Sequence, residues 1–254
     1  MTFSVLSIYR LFFITKDDVL YALTRDGRVL KVKETPYFPA LSCDGTTLAG
    51  IFFDGKDTHI EIQSFGFNSE SRTHLTSLFG YCYYPTLNAS QKQMAVIEVD
   101  LLKPRTQGEL CIYKKKISKW YLMKRLDAKM RPPVFLKDDS VLFIDSQNCL
   151  TIHASSGQCQ TVAQNVQCFG ISPDNSWIAL FDGTQICLYS MEQKRVIQNI
   201  IASYVTCVTF NSSAQEIIYA TSYENRHAIY AFGLKSGKTA LLTQTQEPVT
   251  LLGF

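Results

Sequence analysis

Cysteine pairs at metal-binding spacing, membrane-length apolar runs and the pattern of an export leader are not found in this sequence, and each gap argues against a class of function. No stretch reaches the roughly eighteen uncharged apolar residues that a membrane helix needs. The N-terminal MTFSVLSIYRLFFITKDD is apolar in part. It has no basic leader region, Arg10 interrupts it, and no small-residue cleavage pattern follows, so a signal peptide is not expected. The eight cysteines show no CxxC spacing. TQICLY and YVTCVTF carry theirs inside apolar runs, where cysteine behaves as a small hydrophobe. Reduced thiols and a cytoplasmic location are the resulting expectation. With only four histidines and no HxH or HExxH, a zinc site is not expected. A GxSxG elbow, a glycine-rich phosphate loop and a Cys–His pair at recognisable spacing are likewise lacking. No cofactor is expected. Sustained 3.6-residue periodicity is missing too, which argues against a helical fold.

What is present is aromatic and strand-like. Thirteen tyrosines and sixteen phenylalanines accompany 46% hydrophobic and 19% charged residues, the balance of a chain that buries a core. The stretch CFGISPDNSWIALFDGTQICLYSMEQKRVIQNI, residues 168–200, reads as a four-strand meander. Its landmark is the polar residue that ends the first strand, Ser172. The same landmark falls at Ser42, Asn88, Lys137 and Asn211, at intervals of 46, 49, 35 and 39 residues, with an N-terminal match at Ser7. Second strands are large and apolar (MAVIEV, VLFID, WIALF, IIYATS), and third strands alternate (ELCIYKK, CLTIHAS, QICLYS, AIYAFG). Ser156-Gly157 and Ser236-Gly237 supply the hairpin dipeptides that lead into shorter, more polar fourth strands.

A meander apolar on both faces cannot stand alone; sheets of this kind bury one another face to face. The expected fold is all-β, a single domain over residues 1–254. It is a six-bladed β-propeller of four-stranded antiparallel blades, its ring closed by terminal strands. A seven-bladed or incomplete propeller is the alternative. EPVTLLGF at the C-terminus reads as a first strand that completes the blade begun at the N-terminus, in competition with Phe3–Ser7 for that slot. GISPDNSWIALFDGTQICLYSMEQ and ALSCDGTTLAGIFFDGKDTHIEIQSF resemble repeats of the WD40-like and TolB-like β-propeller superfamily. Ser172-Pro173-Asp174 matches the family's turn, with Asn175 in the glycine position; Ser42-Cys43-Asp44-Gly45 matches with Cys in place of Pro. The Gly-His and Trp-Asp dipeptides of standard WD repeats are absent, for neither Trp120 nor Trp177 precedes an aspartate. The resemblance implies a binding platform, while some six-bladed propellers of other lineages are enzymes.

Residues that resemble site chemistry have plainer explanations. His59 and Glu61 share one strand face, as outward polar residues of any alternating strand do. Asp54 and Asp57 lack the regular carboxylate run of a calcium loop, and Asp54-Gly55 reads as a hairpin turn. Ser172 sits at a turn repeated in other units. The strong asymmetry is electrostatic: from Lys103 to Arg131 ten basic residues face only Glu109 and Asp127, although the whole chain carries a net charge of only +3. Lysines 114, 115, 116, 119 and 124, Arg125, Trp120 and Tyr121 (that is, Lys114, Lys115, Lys116, Lys119, Trp120, Tyr121, Lys124, Arg125) form the candidate partner-binding set. Three uses are open: a solvated edge, the docking of an acidic protein, or the binding of nucleic acid or anionic lipid. The expected role is a non-catalytic protein-interaction or scaffold domain, within a larger complex. The alternative is a hydrolase or lyase with its site at a central channel.

Overall fold

A computed structural model describes residues 9–15, 19–24, 26, 28–34, 37–41, 47–53, 58–64, 73–75, 81–99, 107–117 and 119–252. Ser7, Ser42–Gly45, Asp54, Asp57, Lys103 and Arg105 lie outside these residues. The described residues form six four-stranded antiparallel sheets. Strands β1 (Tyr9–Thr15), β2 (Val19–Thr24) and β3 (Val29–Glu34) share the first sheet with the C-terminal strand. The second sheet is β4 (Tyr37–Leu41), β5 (Thr47–Phe53), β6 (Thr58–Ser64) and β7 (Thr73–Leu75). The third is β8 (Tyr81–Leu87), β9 (Gln93–Val99), β10 (Gln107–Lys116) and β11 (Lys119–Lys129). The fourth is β12 (Val134–Phe135), β13 (Val141–Ile144), β14 (Leu150–His153) and β15 (Cys159–Ala163). The fifth is β16 (Cys168–Ile171), β17 (Trp177–Phe181), β18 (Gln185–Ser190) and β19 (Arg195–Ile201). The sixth is β20 (Val205–Phe210), β21 (Glu216–Tyr223), β22 (Arg226–Gly233) and β23 (Thr239–Thr245). The final strand, β24 (Val249–Leu252), pairs with β1 from Phe12↔Leu252 to Thr15↔Val249, so the C-terminal segment fills the slot for which Phe3–Ser7 competes.

The strands divide into two compact units. Residues 1–35 with 166–254 hold the first, fifth and sixth sheets; residues 36–165 hold the second, third and fourth. Within the first unit, β21 is buried on both faces. Ile217 and Tyr219 pack with Cys168, Phe181 and Leu188, while Ile218 and Ala220 pack with Phe13, Leu23 and Leu251. Within the second, Met94 and Val96 of β9 meet Ala49, Ile51 and Ile60, and Ala95 and Ile97 meet Phe135, Val141 and Phe143. Successive residues of a strand point to opposite faces, so a strand sandwiched between two sheets must be apolar at every position. That is why MAVI and IIYA read as unbroken apolar runs. Burying each Met, Val or Ile among them contributes about 1.5–3 kcal/mol.

The expectation of one closed ring of six blades, or of seven, is corrected here. The described residues form two units of three sheets each, not one closed six- or seven-bladed ring. The physical reason is that repeat patterns encode the strand and its two buried faces, which are local. Ring closure depends on small angles summed between sheets, and no residue pattern records them. The landmark also shifts by one residue in the fourth sheet. Leu136, not Lys137, occupies the position of Asn88, Ser172 and Asn211, because its N–H is bonded to Ser140 O and its carbonyl accepts from Asp139 N.

Candidate functional site

The repeated turns come first, since they account for several residues of suggestive chemistry. Ser172 is fully buried; its Oγ accepts the Trp177 N–H at 2.9 Å and donates to Asp174 at 2.5 Å. Asn88 Oδ1 accepts from Lys92 and Gln93, and Asn211 Oδ1 from Gln215 and Glu216. The landmark oxygen thus takes up backbone donors that each tight turn leaves over, joined at the Ser172 turn by Asp174, which accepts the Ser176 N–H. Three residues after each landmark the backbone is left-handed, at Gln91 (φ 54), Asp139 (φ 63), Asn175 (φ 62) and Ala214 (φ 55). Asp145 and Asp182 repeat a related device, accepting from Gln147 and Cys149 and from Thr184 and Gln185. Burial pushes the Asp174 and Asp182 carboxyls up, but the bonds they accept from Ser172 and Ser176, and from Thr184 and Gln185, hold both below the usual range. Among the described residues no group of three His, Cys, Asp or Glu side chains is placed to hold a metal ion.

The basic segment is a hairpin. Strands β10 and β11 pair from Gln107↔Lys129 to Lys116↔Lys119, with a bulge between Ile112 and Tyr113 that leaves Met123 extra. Strand β9 accompanies β10 only between Glu109 and Lys114, so the tip stands beyond the sheet. The register sorts the candidate side chains. Lys114 and Lys116 lie on the face of Leu110 and Ile112, which pack toward β12–β15. Across from them, Lys119, Tyr121 and Lys124 share that face. All four lysines are exposed, and among the described residues no carboxylate pairs with any of them. Tyr121 is exposed beneath Lys116, whose Nζ sits 5.6 Å from the ring centroid.

The other face takes a different role. Lys115 opposes Trp120 and lies 5.9 Å over its ring. Trp120 is half-buried, packed on the cluster of Met94, Cys111 and Tyr113, so it roots the hairpin rather than offering a free ring. Its Nε1 is buried without an acceptor among the described residues. Arg125 is turned inward. Nη2 lies 3.0 Å from Glu98 Oε2 and Nη1 2.8 Å from Glu109 Oε2, so its charge is neutralised in the sheet. Tyr113 Oη donates to Glu98 Oε1 in the same network. Burial, the bond to Glu98 and its charge all raise the Tyr113 hydroxyl, and the bond to Glu109 raises Arg125. Burial and then Glu98 push the Cys82 thiol up to about 12 and Cys111 higher still. Glu98 lies inside MAVIEV, a run apolar on both faces, and a carboxylate there is itself the signal that a partner must lie opposite.

Next to the lysine face stands a His–Cys contact. His153 is buried at the end of β14, and its Nδ1 lies 3.5 Å from Sγ of the exposed Cys159. Burial, with the charge of Lys124 second, lowers the His153 pKa. His227 is half-buried with Nδ1 unpartnered among the described residues, and the side chains of His59, Glu61 and His74 are outside the described set.

No protein-family model and no curated protein matches the sequence. Solved structures do resemble it. TolB from Acinetobacter baumannii superposes with a TM-score of 0.74 at 14% identity, covering 97% of this chain and 67% of that one. A putative TolB from Agrobacterium tumefaciens gives 0.60 at 14%, covering 96% and 97%. A chain from a nidogen/laminin complex gives 0.66 at 13%, covering 96% of each. The chain therefore has a β-propeller fold like that of these structures. The expectation of a cytoplasmic location does not stand. It rested on the expectations of no signal peptide and of reduced thiols, whereas the TolB-like proteins of this fold are extracytoplasmic.

Proposed function

We propose that this chain is a non-catalytic protein-interaction domain, and that an acidic partner protein docks on the β10–β11 hairpin. The observation that carries this reading is the lysine face. Lys114, Lys116, Lys119 and Lys124 project together around the exposed Tyr121, and no carboxylate of the described residues offsets them. Four unneutralised ammonium groups on one face repel each other, and an incoming acidic surface relieves that repulsion while speeding encounter. The exposed aromatic supplies contact area at low entropic cost. Arg125 drops out of the docking set proposed from sequence, and Trp120 and Lys115 support the hairpin from its other face. The fold's likeness to a chain from a nidogen/laminin complex is in keeping with an interaction role. No helix among the described residues is long and apolar enough to cross a membrane.

The test places a photo-crosslinking residue at Tyr121 in cells that express the chain, with and without Lys114→Glu, Lys116→Glu and Lys119→Glu together. Discrete protein adducts that disappear in the triple variant are expected. Adducts that persist after charge reversal, or nucleic acid in place of protein, overturn the reading.

A further inference from the structure

Resting on the docking role just described, the geometry points to its mode: we propose that β11 takes up an extended segment of the partner as an added strand, and that this segment alternates acidic and apolar residues. β11 is the outer strand of its sheet. Its eleven residues exceed those of the other outer strands, which run from three to seven. Its far end is already occupied, for Ala128 forms an antiparallel bridge to Asp145. From Lys119 to Arg125 no strand flanks it on the outside among the described residues. The backbone N–H and C=O groups on that side are directed at solvent, which is the arrangement a further strand completes.

The side chains then state what the strand must be. Tyr121, Leu122 and Met123 are 46%, 43% and 57% exposed, three large apolar groups in succession on a single edge strand. A strand laid beside β11 sets its own residues alternately next to Lys119, Tyr121 and Lys124 on one face and next to Trp120 and Leu122 on the other. Acidic residues match the first face and apolar residues the second. Arg125 makes no demand on the partner, because Glu98 and Glu109 already satisfy it. A second copy of this chain is the wrong occupant, since pairing β11 with itself brings lysine-rich edges of one sign together. Lysines on an edge strand commonly prevent such like-to-like pairing. They leave an acidic strand as the one admitted.

The test uses a capped decapeptide of alternating Glu and Val at low salt, together with two N-methylated versions, one methylated at every Glu and one at every Val. Successive N–H groups of a strand point to opposite sides, so each version loses the donors of a single edge. An added strand uses one edge only. The parent peptide is expected to bind and to slow amide exchange in Lys119–Arg125. One methylated version should bind at least tenfold more weakly, and the other should match the parent. Equal binding of both, or no protection of β11, overturns strand addition and leaves docking through side chains standing. Binding unaffected by the triple lysine-to-glutamate change removes the docking reading itself, and failure of the parent peptide to bind at all overturns the proposed pattern.

Discussion

Arg125 spans the sheet to Glu98, two strands away, with Nη2 3.0 Å from the carboxylate, and on the way its Nη1 engages Glu109. Glu98 and Glu109 are direct neighbours across β9 and β10, so the arginine holds two like charges together. Glu98 is 6% exposed and Arg125 45%, a pair with one partner inside and one at the surface. Arg125→Ala leaves the buried carboxylate with only the neutral donors Tyr113 and Cys111. A fully buried pair would lose about 3–5 kcal/mol on such truncation, and screening at the open end reduces this to about 1–3 kcal/mol. A lower urea midpoint with an unchanged slope is the expected result. Arg125→Lys should recover only part of it, because a single ammonium cannot reproduce the two-pronged contact.

Thiol reactivity should separate the cysteines of the third and fourth sheets. Cys82 and Cys111 are buried beside Glu98, which disfavours the thiolate, whereas Cys159 is exposed. Iodoacetamide on the native protein, followed by peptide mapping, should label Cys159 well before Cys82 or Cys111. Equal labelling in urea confirms that folding causes the difference.

Acid should weaken the fold through His153. Its folded pKa is depressed by burial and by Lys124, so the unfolded chain binds a proton that the folded one does not. The neutral form is fully compatible with folding above the ordinary histidine value of about 6.5. Stability is then lost as pH falls below that value toward the folded pKa, by at most about 1.4 kcal/mol per unit. Between pH 7 and 5 the urea midpoint of His153→Gln should fall less than that of the parent chain. Lys124→Met should reduce the loss as well.

Lys119→Glu should stabilise the hairpin while impairing its use. Lys116 and Lys119 are directly opposed at the tip, and replacing a like-charge pair with an opposite one contributes about 0.2–1 kcal/mol. A small rise in melting temperature together with weaker capture of the acidic partner is expected. A fall in melting temperature would show that the tip lysines are not in contact through their charges.

Gly170→Ala should be among the costlier single changes in the fifth sheet. A Cβ there would stand 2.4 Å from Val208 O and 2.6 Å from Thr209 Cα, where β16 and β20 approach backbone to backbone. Neither neighbour can rotate away, so a loss of about 1–3 kcal/mol is expected in chemical denaturation.

The blades were legible in the sequence because their causes are local. WIALF and IIYATS announced strands sandwiched on both faces, and Ser172 and Asn211 announced the turns that follow first strands. Lys137 misled by one place because the landmark position falls on Leu136, which carries no side-chain oxygen, and the turn is closed by the Leu136 backbone and Asp138. The basic run from Lys114 to Arg125 was visible as composition, yet composition could not sort its two faces. Only the register, with its bulge at Ile112 and Tyr113, separates the lysine face from the Trp120 face and turns Arg125 inward. Gly170 gave no signal at all, since the backbone that crowds it lies 38 or more residues away in the chain.

At the blade turns, the landmark oxygen of Asn88, Ser172 or Asn211 fastens backbone donors, joined at the Ser172 turn by Asp174. The left-handed residue three places on is thereby released from being glycine, and Gln, Asn and Ala occupy it. Holding the turn from one end allows the other end to drift under mutation. A lineage of such chains can shed its recognisable dipeptides one at a time and still lay down the same meander, so family resemblance in the letters should fade long before resemblance in shape.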